Sequence, residues 1–309
     1  AEVTVITKDK DISYAGCGLP YYVGGVITDR GALQVQTVAG FGSRFRVDVR
    51  TNSEAVSVDT EKKTVRVRCG EEIYEESYDK LVLSPGASPV KPPIPGMEEN
   101  HVFTLRNIPD TYAIYDFIEE HKPQTCVVVG AGFIGLEMAE NLSERGLKVT
   151  VVEGAAHVMP PIDMDMAHQV HNYIRAKGLG LCLGQTCTAM DKEGVILSGG
   201  QKIPADMVLL SIGVRPDTAF LKDSGIEMGP RGEIVVNEYM ETSASDVYAL
   251  GDAVSTFHAV SGARTVIPLA GPANKQGRIV GDNLCGRRTA YKGSQGTSVM
   301  KFYDMTVAV

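Results

Sequence analysis

Short apolar runs alternate with polar, glycine-rich turns along the whole chain, and these runs differ in their period. Residues 127–129 (VVV) and 207–210 (MVLL) are unbroken apolar runs of the length typical of buried strands. Apolar and polar residues alternate in 62–69 and 71–77, which predicts two strands joined by a turn. Residues 107–121 have helical spacing. This mixture predicts an α/β protein.

The clearest unit begins at the apolar run VVV. It leads into a glycine turn, Gly130 to Gly135, and apolar residues then recur at helical spacing until Gly146. A second apolar run, 149–152, ends at Glu153. Strand, glycine turn, helix and strand in this order predict the βαβ unit of a dinucleotide-binding fold.

The three glycines of this turn, the start of the helix and the terminal acid each have a physical role in nucleotide binding. Gly130 permits the tight turn, Gly132 lets the backbone approach a pyrophosphate, and Gly135 lets helix and strand pack closely. The start of the helix offers free N–H groups and the positive end of its dipole to the phosphates. Glu153 stands where a carboxylate accepts hydrogen bonds from ribose hydroxyls and repels a 2′-phosphate, which predicts NADH rather than NADPH. The alternative is a glycine turn without a ligand, and the complete βαβ context favours the cofactor.

Composition and charge limit the other possibilities. The chain has 309 residues, enough for two domains, and a formal net charge of −8 that predicts no nucleic-acid partner. No apolar stretch is long enough to predict a membrane span. The N-terminal segment AEVTVITKDK lacks the regions of a signal peptide, so we expect a cytoplasmic location.

The six cysteines are scattered and include no CxxC pair. Their even number permits three disulfides, but a chain of this length without a secretion signal favours free thiols. His157, His168 and His171 lie close in sequence without further candidate ligands, and we expect them on the surface. We expect no metal site.

Cys17 lies in the segment SYAGCGLPYY, residues 13–22, which has neither strand alternation nor helical period. Four interpretations are open: a buried packing residue, a metal ligand, half of a disulfide, or a reactive thiolate. Two flanking glycines and the absence of an apolar period favour the thiolate. We expect the other cysteines to pack in the interior.

Several segments occur in an order that resembles the flavin-dependent pyridine nucleotide-disulfide oxidoreductases. They are SYAGCGLPYYVGG, YDKLVLSPGASP, VVVGAGFIGLEMAENL, TSASDVYALGDA and LAGPANKQGR. The chain is similar to the single-cysteine branch of that family: coenzyme A-disulfide reductases, NADH oxidases, NADH peroxidases and persulfide reductases. The LPYY sequence resembles the coenzyme A-disulfide reductases and their persulfide-reducing relatives most.

The resemblance implies a glutathione reductase-like α/β fold with two Rossmann-like domains, one for FAD and one for NAD(P). The expected domains are residues 1–105 (first FAD segment), 106–235 (NAD) and 236–309 (second FAD segment). The resemblance also implies that the first FAD βα unit and the C-terminal dimerisation domain lie outside this chain. We expect the full-length protein to be a homodimer.

The resemblance implies that Cys17 is the redox thiol beside the flavin. Tyr22 stands where related enzymes carry a second cysteine, so Cys17 would cycle through a mixed disulfide or a sulfenic acid. Glu137 matches an acid near the nicotinamide and flavin N5, and Phe133 matches an aromatic gate over the nicotinamide. The alternatives are that Glu137 is a solvated helix residue and that Phe133 only packs the helix.

The resemblance and the glycine motif together give two expected sets of cofactor-binding residues. The set for NAD is Gly130, Gly132, Phe133, Ile134, Gly135, Glu153 and Gly213. The set for FAD is Ser13, Ser84, Pro85, Gly86, Gly251, Asp252, Leu269, Ala270 and Ala273. For Asp252 the alternative is an N-cap of the following segment.

The function that this implies is an oxidoreductase that passes hydride from NADH via FAD to a small-molecule disulfide or persulfide, such as coenzyme A disulfide, through Cys17. One alternative is an NADH oxidase or peroxidase in which oxygen species react through a Cys17 sulfenic acid. An alternative of another class is a nucleotide-binding redox module without turnover. We expect neither a nucleic acid nor a membrane as partner.

Overall fold

The computed structural model describes all 309 residues, and the chain folds into two compact units. Each unit is assembled from three separate stretches of sequence. Unit 1 comprises residues 1–13, 36–88 and 215–298, and unit 2 comprises residues 14–35, 89–214 and 299–309. The domain boundaries predicted above are defined by the nucleotide that each domain would bind, and they stay a prediction.

The centre of unit 2 is a five-stranded sheet in which each neighbouring pair is parallel. In spatial order its strands are β10 (Val102–Thr104), β17 (Met207–Leu210), β11 (Thr125–Val129), β12 (Lys148–Glu153) and β13 (Gly180–Leu183). The helices of unit 2 are α1 (Leu19–Val23), α3 (Ile108–His121), α4 (Phe133–Glu144) and α5 (Met164–Ala176). A parallel sheet requires crossover connections, which α4 supplies between β11 and β12.

Two antiparallel elements complete unit 2. One is a three-stranded sheet of β14 (Cys187–Asp191), β15 (Gly194–Leu197) and β16 (Lys202–Pro204). The other is the C-terminal hairpin, which consists of β23 (Val299–Phe302) and β24 (Met305–Ala308). The hairpin contributes Met300 and Phe302 to the main core of unit 2.

Unit 1 contains small sheets and two helices, α2 (Val38–Phe45) and α6 (Ala270–Leu284). Two of its two-stranded sheets are parallel, β1 (Thr4–Ile6) with β4 (Asp48–Arg50) and β8 (Leu81–Leu83) with β20 (Val247–Ala249). Two three-stranded sheets are made of β5 (Ser53–Asp59), β6 (Thr64–Cys69) and β7 (Glu72–Ser77), and of β19 (Ile234–Val235), β21 (Val254–Phe257) and β22 (Arg264–Thr265).

Two further strand pairs lie where the chain passes from one unit to the other. They are β2 (Ser13–Tyr14) with β3 (Gln34–Gln36) and β9 (Ala87–Pro89) with β18 (Val214–Pro216). Short 3-10 turns are formed by Gly16–Gly18, Arg30–Leu33, Ala219–Leu221 and Gly251–Ala253.

The strongly periodic segments of the sequence adopt the predicted structures. The alternating strands are β6 and β7, and the helical segment is α3. The Asn107 side chain caps α3 by accepting a hydrogen bond from the Asp110 N–H at 3.1 Å. Lys122 ends the helix in the left-handed conformation, with φ of 48°.

Residues 13–22 show neither strand alternation nor helical period in the sequence, yet most of them form regular structure. Ser13–Tyr14 form β2, Cys17 lies in a 3-10 turn, and Leu19–Val23 form α1 directly after it. Pro20 falls in the first turn of the helix, where its fixed φ is compatible with helix formation. A helix of five residues is too short to produce a recognisable apolar period.

None of the helices combines the length and the apolar character that crossing a membrane requires.

Burial of the C-terminal hairpin in the core of unit 2 should make a measurable contribution to the free energy of unfolding. Phe302→Ala should lower the free energy of unfolding by about 3 kcal/mol or more, because the Phe302 side chain is fully buried. Val299 belongs to the same strand and is 68% exposed, so Val299→Ala should cost less than about 0.5 kcal/mol. Urea unfolding of both variants measures the difference, and equal losses would show that the hairpin does not pack as described.

Candidate functional site

The glycine turn of unit 2 has the close backbone contacts that its glycines permit. Gly130 has φ of 103°, and a Cβ there would overlap the carbonyl oxygen of Ser211. A Cβ on Gly135 would overlap the carbonyl oxygen of Gly130. Around Gly132, in contrast, a Cβ would meet nothing within 4 Å, so the backbone is open to a ligand.

Helix α4 begins directly after Gly132, which is its N-cap. No side chain accepts a hydrogen bond from the first N–H groups of this helix, and its first turn contains no acidic residue. These donors and the positive end of the helix dipole are therefore available to an anion. Open backbone and an uncapped helix fit the pyrophosphate of a dinucleotide.

Glu153, the last residue of β12, binds the glycine turn with its carboxylate. One oxygen accepts a hydrogen bond from the Ala131 N–H at 2.7 Å, and the other accepts from the Ala155 N–H at 2.8 Å. A carboxylate has about four lone-pair sites, so both oxygens can still accept further hydrogen bonds. Glu153 is half-buried and retains its capacity to bind ribose hydroxyls.

A cleft of about 340 Å³ adjoins the ends of β11, β12 and β17. Its lining includes Gly130, Glu153, Cys187 and Ile212. In open parallel sheets, ligands bind outside the carboxyl ends of the strands, which is where this cleft lies. Burial raises the pKa of the Cys187 thiol, so this cysteine lines the cleft as an uncharged thiol.

Sequence reasoning overlooked Ser211, which holds the glycine turn from the neighbouring strand end. Its N–H donates to the Val129 carbonyl at 2.7 Å, and its Oγ donates to the Gly130 carbonyl at 3.1 Å. A small hydroxyl residue directly after the apolar run of β17 was the available signal. Gly213, predicted for NAD, follows in this loop with φ of 111° and open space around it.

The first two residues of α4 face different surroundings. Phe133 is half-buried and packs against the main core of unit 2. Ile134 is 40% exposed. Both belong to the predicted NAD set, and their position at the start of α4 is compatible with contact to a bound nucleotide.

Cys17 is exposed and unpaired, which excludes its interpretation as a buried packing residue or half of a disulfide within this chain. It lies in the 3-10 turn that precedes α1. The spacing between Cys17 and Tyr21 is four residues, which brings their side chains toward one face of this helical segment. Tyr21 is half-buried, whereas the other residues of α1 are buried.

Helix α1 is held against α4 by specific contacts within unit 2. Gly24 follows α1 so close to Asn141 that a Cβ at Gly24 would overlap the Asn141 amide oxygen. Arg145, directly after α4, donates through Nη1 to the Val23 carbonyl at 2.9 Å. Asn141 itself is 1% exposed and donates through Nδ2 to the Glu137 carbonyl at 2.8 Å. The segment of Cys17 is thus fixed to the helix of the glycine turn.

Tyr22 anchors the other side of this segment. It is 2% exposed, and its ring lies 5.5 Å from the Tyr112 ring and 5.1 Å from the Tyr115 ring, both on α3. Arg30 donates through Nε to the Tyr22 hydroxyl at 3.2 Å. The residue at the position of a second cysteine therefore has a packing role.

Glu137 lies in the first half of α4, shortly after Gly135, and is half-buried. Burial, and secondly the charge of Glu140, raise the pKa of its carboxyl to about 7. Burial also raises the pKa of the Tyr21 phenol, with further contributions from Glu137, Glu140 and Cys17. Tyr21 therefore lies near both the thiol and the carboxyl, and it stays protonated at neutral pH.

In unit 1 two loops with predicted FAD residues are adjacent. Ser84–Gly86 follow β8, and Gly251–Ala253 follow β20, the parallel neighbour of β8. The Leu250 N–H donates to the Leu83 carbonyl at 3.0 Å, which continues the pairing to the ends of both strands. The two loops thus form one edge of the sheet, as a nucleotide site at strand ends requires.

Helix α6 supplies the third part of this edge. Its N-cap, Leu269, makes no side-chain capping bond, so the N–H groups of Ala270 and its neighbours are available to a ligand. The Gly251 N–H donates at 2.8 Å to Oε1 of Gln276, a residue of α6 that is 2% exposed. A Cβ on Gly251 would lie 3.9 Å from the Ala273 Cβ, so helix and turn are in close contact. Sequence reasoning overlooked Gln276, which is a buried amide in a polar stretch.

The remaining predicted residues of the flavin set lie in unit 1 as well. Ser13 is half-buried in β2, and Asp252 is half-buried in the 3-10 turn after β20. An uncapped helix start beside a glycine turn with φ of 81° at Gly251 leaves backbone N–H groups free for polar or anionic atoms of a bound nucleotide.

Two expectations about other side chains are wrong. Cys69 and Cys285 are exposed, so not all remaining cysteines pack in the interior. His171 is 3% exposed, and its Nε2 accepts a hydrogen bond from the Val158 N–H at 3.2 Å. Both errors have the same cause, since a lone cysteine or histidine carries no signal of which helix or strand face it occupies.

The sequence profile described as pyridine nucleotide-disulphide oxidoreductase matches residues 1–277. Among curated proteins, a coenzyme A disulfide reductase of Staphylococcus haemolyticus (strain JCSC1435) is 32% identical over 311 aligned residues. The alignment covers 100% of this chain and 70% of that protein.

Two solved structures are similar over nearly the whole chain. Reduced Bacillus anthracis CoADR-RHD matches with a TM-score of 0.97 and 47% identity, covering 99% of this chain and 56% of that one. A NAD-dependent persulfide reductase from A. fulgidus matches with a TM-score of 0.96 and 36% identity, covering 100% of this chain and 59% of that one. The chain thus spans between half and two thirds of these two solved proteins.

Substitution of two glycines in the glycine turn of unit 2 should have different effects: one should lower stability and the other should weaken dinucleotide binding. Gly135→Ala should lower the free energy of unfolding by about 2 kcal/mol, because its methyl group overlaps the Gly130 carbonyl. Gly132→Ala should cost less than about 1 kcal/mol but weaken dinucleotide binding about tenfold or more, since the methyl group occupies the space beside the backbone donors. Thermal unfolding and calorimetric titration with NADH measure both effects. Unchanged NADH affinity in Gly132→Ala would contradict this assignment.

Proposed function

The chain belongs to the pyridine nucleotide-disulphide oxidoreductase family, and from that premise we propose that it is an NADH-dependent flavoprotein reducing a small-molecule disulfide or persulfide at Cys17. The observation that carries this proposal is the exposed, unpaired Cys17 on a segment fixed to the nucleotide-binding helix α4. The names of two similar proteins, a coenzyme A disulfide reductase and a persulfide reductase, support this substrate class.

FAD, in this proposal, is bound by unit 1. The residues that would hold it are Ser13 in β2 and those at the joined strand ends and the start of α6: Ser84, Pro85, Gly86, Gly251, Asp252, Leu269, Ala270 and Ala273. The turn at Gly251 and the uncapped start of α6 offer free backbone N–H groups to polar atoms of the flavin. When bound, FAD supplies the two-electron relay between the nicotinamide and the thiol.

NADH, in this proposal, binds to unit 2. Gly130, Gly132 and Gly135 admit the pyrophosphate to the start of α4, and Glu153 orients the ribose. Phe133, Ile134 and Gly213 border the same turn. We propose residues 106–235 as the NAD domain, with 1–105 and 236–309 as the segments of the FAD domain, and a homodimer for the whole protein.

The chemistry at Cys17 is thiol–disulfide exchange. The thiolate attacks one sulfur of the substrate, a new S–S bond to Cys17 forms, the substrate S–S bond breaks, and one thiolate leaves and takes up a proton. Two electrons that originate in NADH then cleave the mixed disulfide, which releases the second thiol and restores the Cys17 thiolate. Overall, NADH, one disulfide and one proton yield NAD⁺ and two thiols.

Exposure of Cys17 fits this role, since an external disulfide must reach the sulfur. The flanking residue Gly16 has no side chain, and the space that a Cβ would occupy there is open. A Cβ on Gly18 would lie only 3.3 Å from side-chain atoms of Ile27 and Leu33, so the turn itself is tightly supported. Tyr22 provides no sulfur, so the exchange partner is the substrate.

Replacing the sulfur tests this role. Cys17→Ser should retain the reduction of bound flavin by NADH, because the nicotinamide site is untouched, and should lose the reduction of coenzyme A disulfide, because an alcohol is a poor nucleophile at neutral pH. Cys285→Ser is the matched control, since Cys285 is also exposed and belongs to unit 1. Undiminished disulfide turnover in Cys17→Ser would contradict the proposal.

The same assay distinguishes the other two candidate functions. An oxidase or peroxidase would consume oxygen or peroxide in proportion to NADH, with no dependence on added disulfide, through a sulfenic acid at Cys17. A nucleotide-binding module without turnover would bind NADH and oxidise it with none of the three acceptors.

The choice of nicotinamide nucleotide depends on Glu153. kcat/KM should be about tenfold or more higher for NADH than for NADPH, because a repulsion of about 1.4 kcal/mol between carboxylate and 2′-phosphate already gives that factor. Glu153→Gln should lower the ratio of kcat/KM for NADH to kcat/KM for NADPH. Glu144→Gln, which changes an exposed glutamate of α4, should leave this ratio unchanged. A higher kcat/KM for NADPH in the unchanged protein would refute this assignment.

A further inference from the structure

Helix α4 carries a second carboxyl group that the proposed chemistry does not use. Glu140 lies three residues after Glu137, so both side chains lie on one face of the helix. Glu140 is 6% exposed, and its Oε2 has no hydrogen-bond partner. Ionisation of a buried carboxyl with an unpaired oxygen is unfavourable, so a glutamate at this position lowers stability unless it has another role.

The surroundings of Glu140 do not neutralise it. Burial raises the pKa of its carboxyl, and the backbone N–H of Tyr303 opposes this as the next largest influence. The titratable and charged groups that face the pair come from every element packed against this part of α4. They are Glu144 on α4, Tyr21 on α1, Lys177 after α5, and Lys301 and Tyr303 of the C-terminal hairpin.

Neither lysine is bound to Glu140 itself. Lys177 forms an ion pair with Asp304 at 3.0 Å, and Lys301 is exposed. Both act on Glu140 only as more distant charges. Glu137 and Glu140 are therefore neighbouring carboxyl groups without a bound cation, in a partly buried environment. There, ionisation of one carboxyl disfavours ionisation of the other.

We propose that Glu140 is a positioning residue that forms a coupled carboxyl pair with Glu137. The two groups lie on one face of α4, Glu140 is buried with an unpartnered oxygen, and ionisation of one carboxyl opposes ionisation of the other. This inference rests on the proposed function, in which Glu137 stands beside the nicotinamide.

The consequence for the reaction follows from charge. The nicotinamide ring becomes positively charged when it loses hydride, and an ionised Glu137 stabilises that charge while a protonated one does not. The rate of flavin reduction by NADH should therefore rise with pH as Glu137 loses its proton. Removing the Glu140 carboxyl should allow Glu137 to ionise at lower pH, and the rise in the rate of flavin reduction should move to lower pH by the same amount.

The direct test is the titration of the Glu137 carboxyl, followed by carbon-13 NMR of the protein labelled at glutamate Cδ. The resonance is assigned by its absence in Glu137→Gln. In Glu140→Gln, the midpoint of Glu137 should fall by about one pH unit. An unchanged midpoint overturns the proposal and leaves Glu140 with a purely structural role.

Two further variants make the result unambiguous. Glu144→Gln removes the same charge from an exposed site one turn further along α4, and it should leave the Glu137 midpoint in place. Glu140→Met, which matches the glutamate in length without a carboxyl, replaces Glu140→Gln if that variant does not fold. A shift of equal size in Glu144→Gln would show that the effect is general charge removal and would also overturn the proposal.

A kinetic readout separates this inference from the proposed function. Stopped-flow reduction of the flavin by NADH, measured across pH, should show its midpoint moved to lower pH in Glu140→Gln by the same amount as the NMR midpoint. If the unchanged protein is not reduced by NADH at all, the proposed function fails, while the NMR titration still decides whether Glu140 sets the proton affinity of Glu137.

Discussion

The close packing of α1 on α4 is the constraint on which the candidate site depends. It brings the segment of the exposed Cys17 against the helix that starts at the glycine turn and carries Glu137. The contact is possible because Gly24 has no side chain where the Asn141 amide lies, and Arg145 closes it by donating to the Val23 carbonyl. Asn141 is almost fully buried and also bonds to the backbone of Glu137. The proposed reaction requires the Cys17 thiol to be held at a fixed place, and the contacts between α1 and α4 hold its segment within unit 2.

The two units share one physical arrangement, a glycine turn with positive φ at the end of a strand and a helix that starts without a side-chain cap. In unit 2, Gly130 turns the chain out of β11 and α4 starts without a side-chain cap. In unit 1, Gly251 turns the chain out of β20, and α6 starts without a side-chain cap. Backbone N–H groups and a helix dipole suit an anionic or polar group without a fixed cation, which leaves side chains free for other contacts. In the proposed function, Glu153 binds the ribose of NADH and Asp252 contacts FAD.

The parts of the fold that the sequence predicts are those whose signal is local. The unit from β11 to β12 is recognisable because apolar periodicity, glycine spacing and a terminal acid all lie within one short segment. Helix α1 was missed because five residues show no period, and Gln276 and Ser211 because their partners, Gly251 and Gly130, are distant in sequence. Glu140 reads as an ordinary helix glutamate, and only the packing of the C-terminal hairpin onto α4 makes it a buried one. Resemblance to a family supplied the roles of Cys17 and the flavin residues, which no periodicity could have given.

The most direct test of the central claim is the visible absorption spectrum of the purified protein during an anaerobic titration with NADH. In the proposed function, unit 1 binds a flavin, unit 2 binds NADH, and NADH reduces the flavin, which then reduces the mixed disulfide at Cys17. The account predicts a yellow protein whose flavin bands bleach as NADH is added and return when coenzyme A disulfide follows. A colourless protein, or flavin bands that NADH does not change, would contradict it.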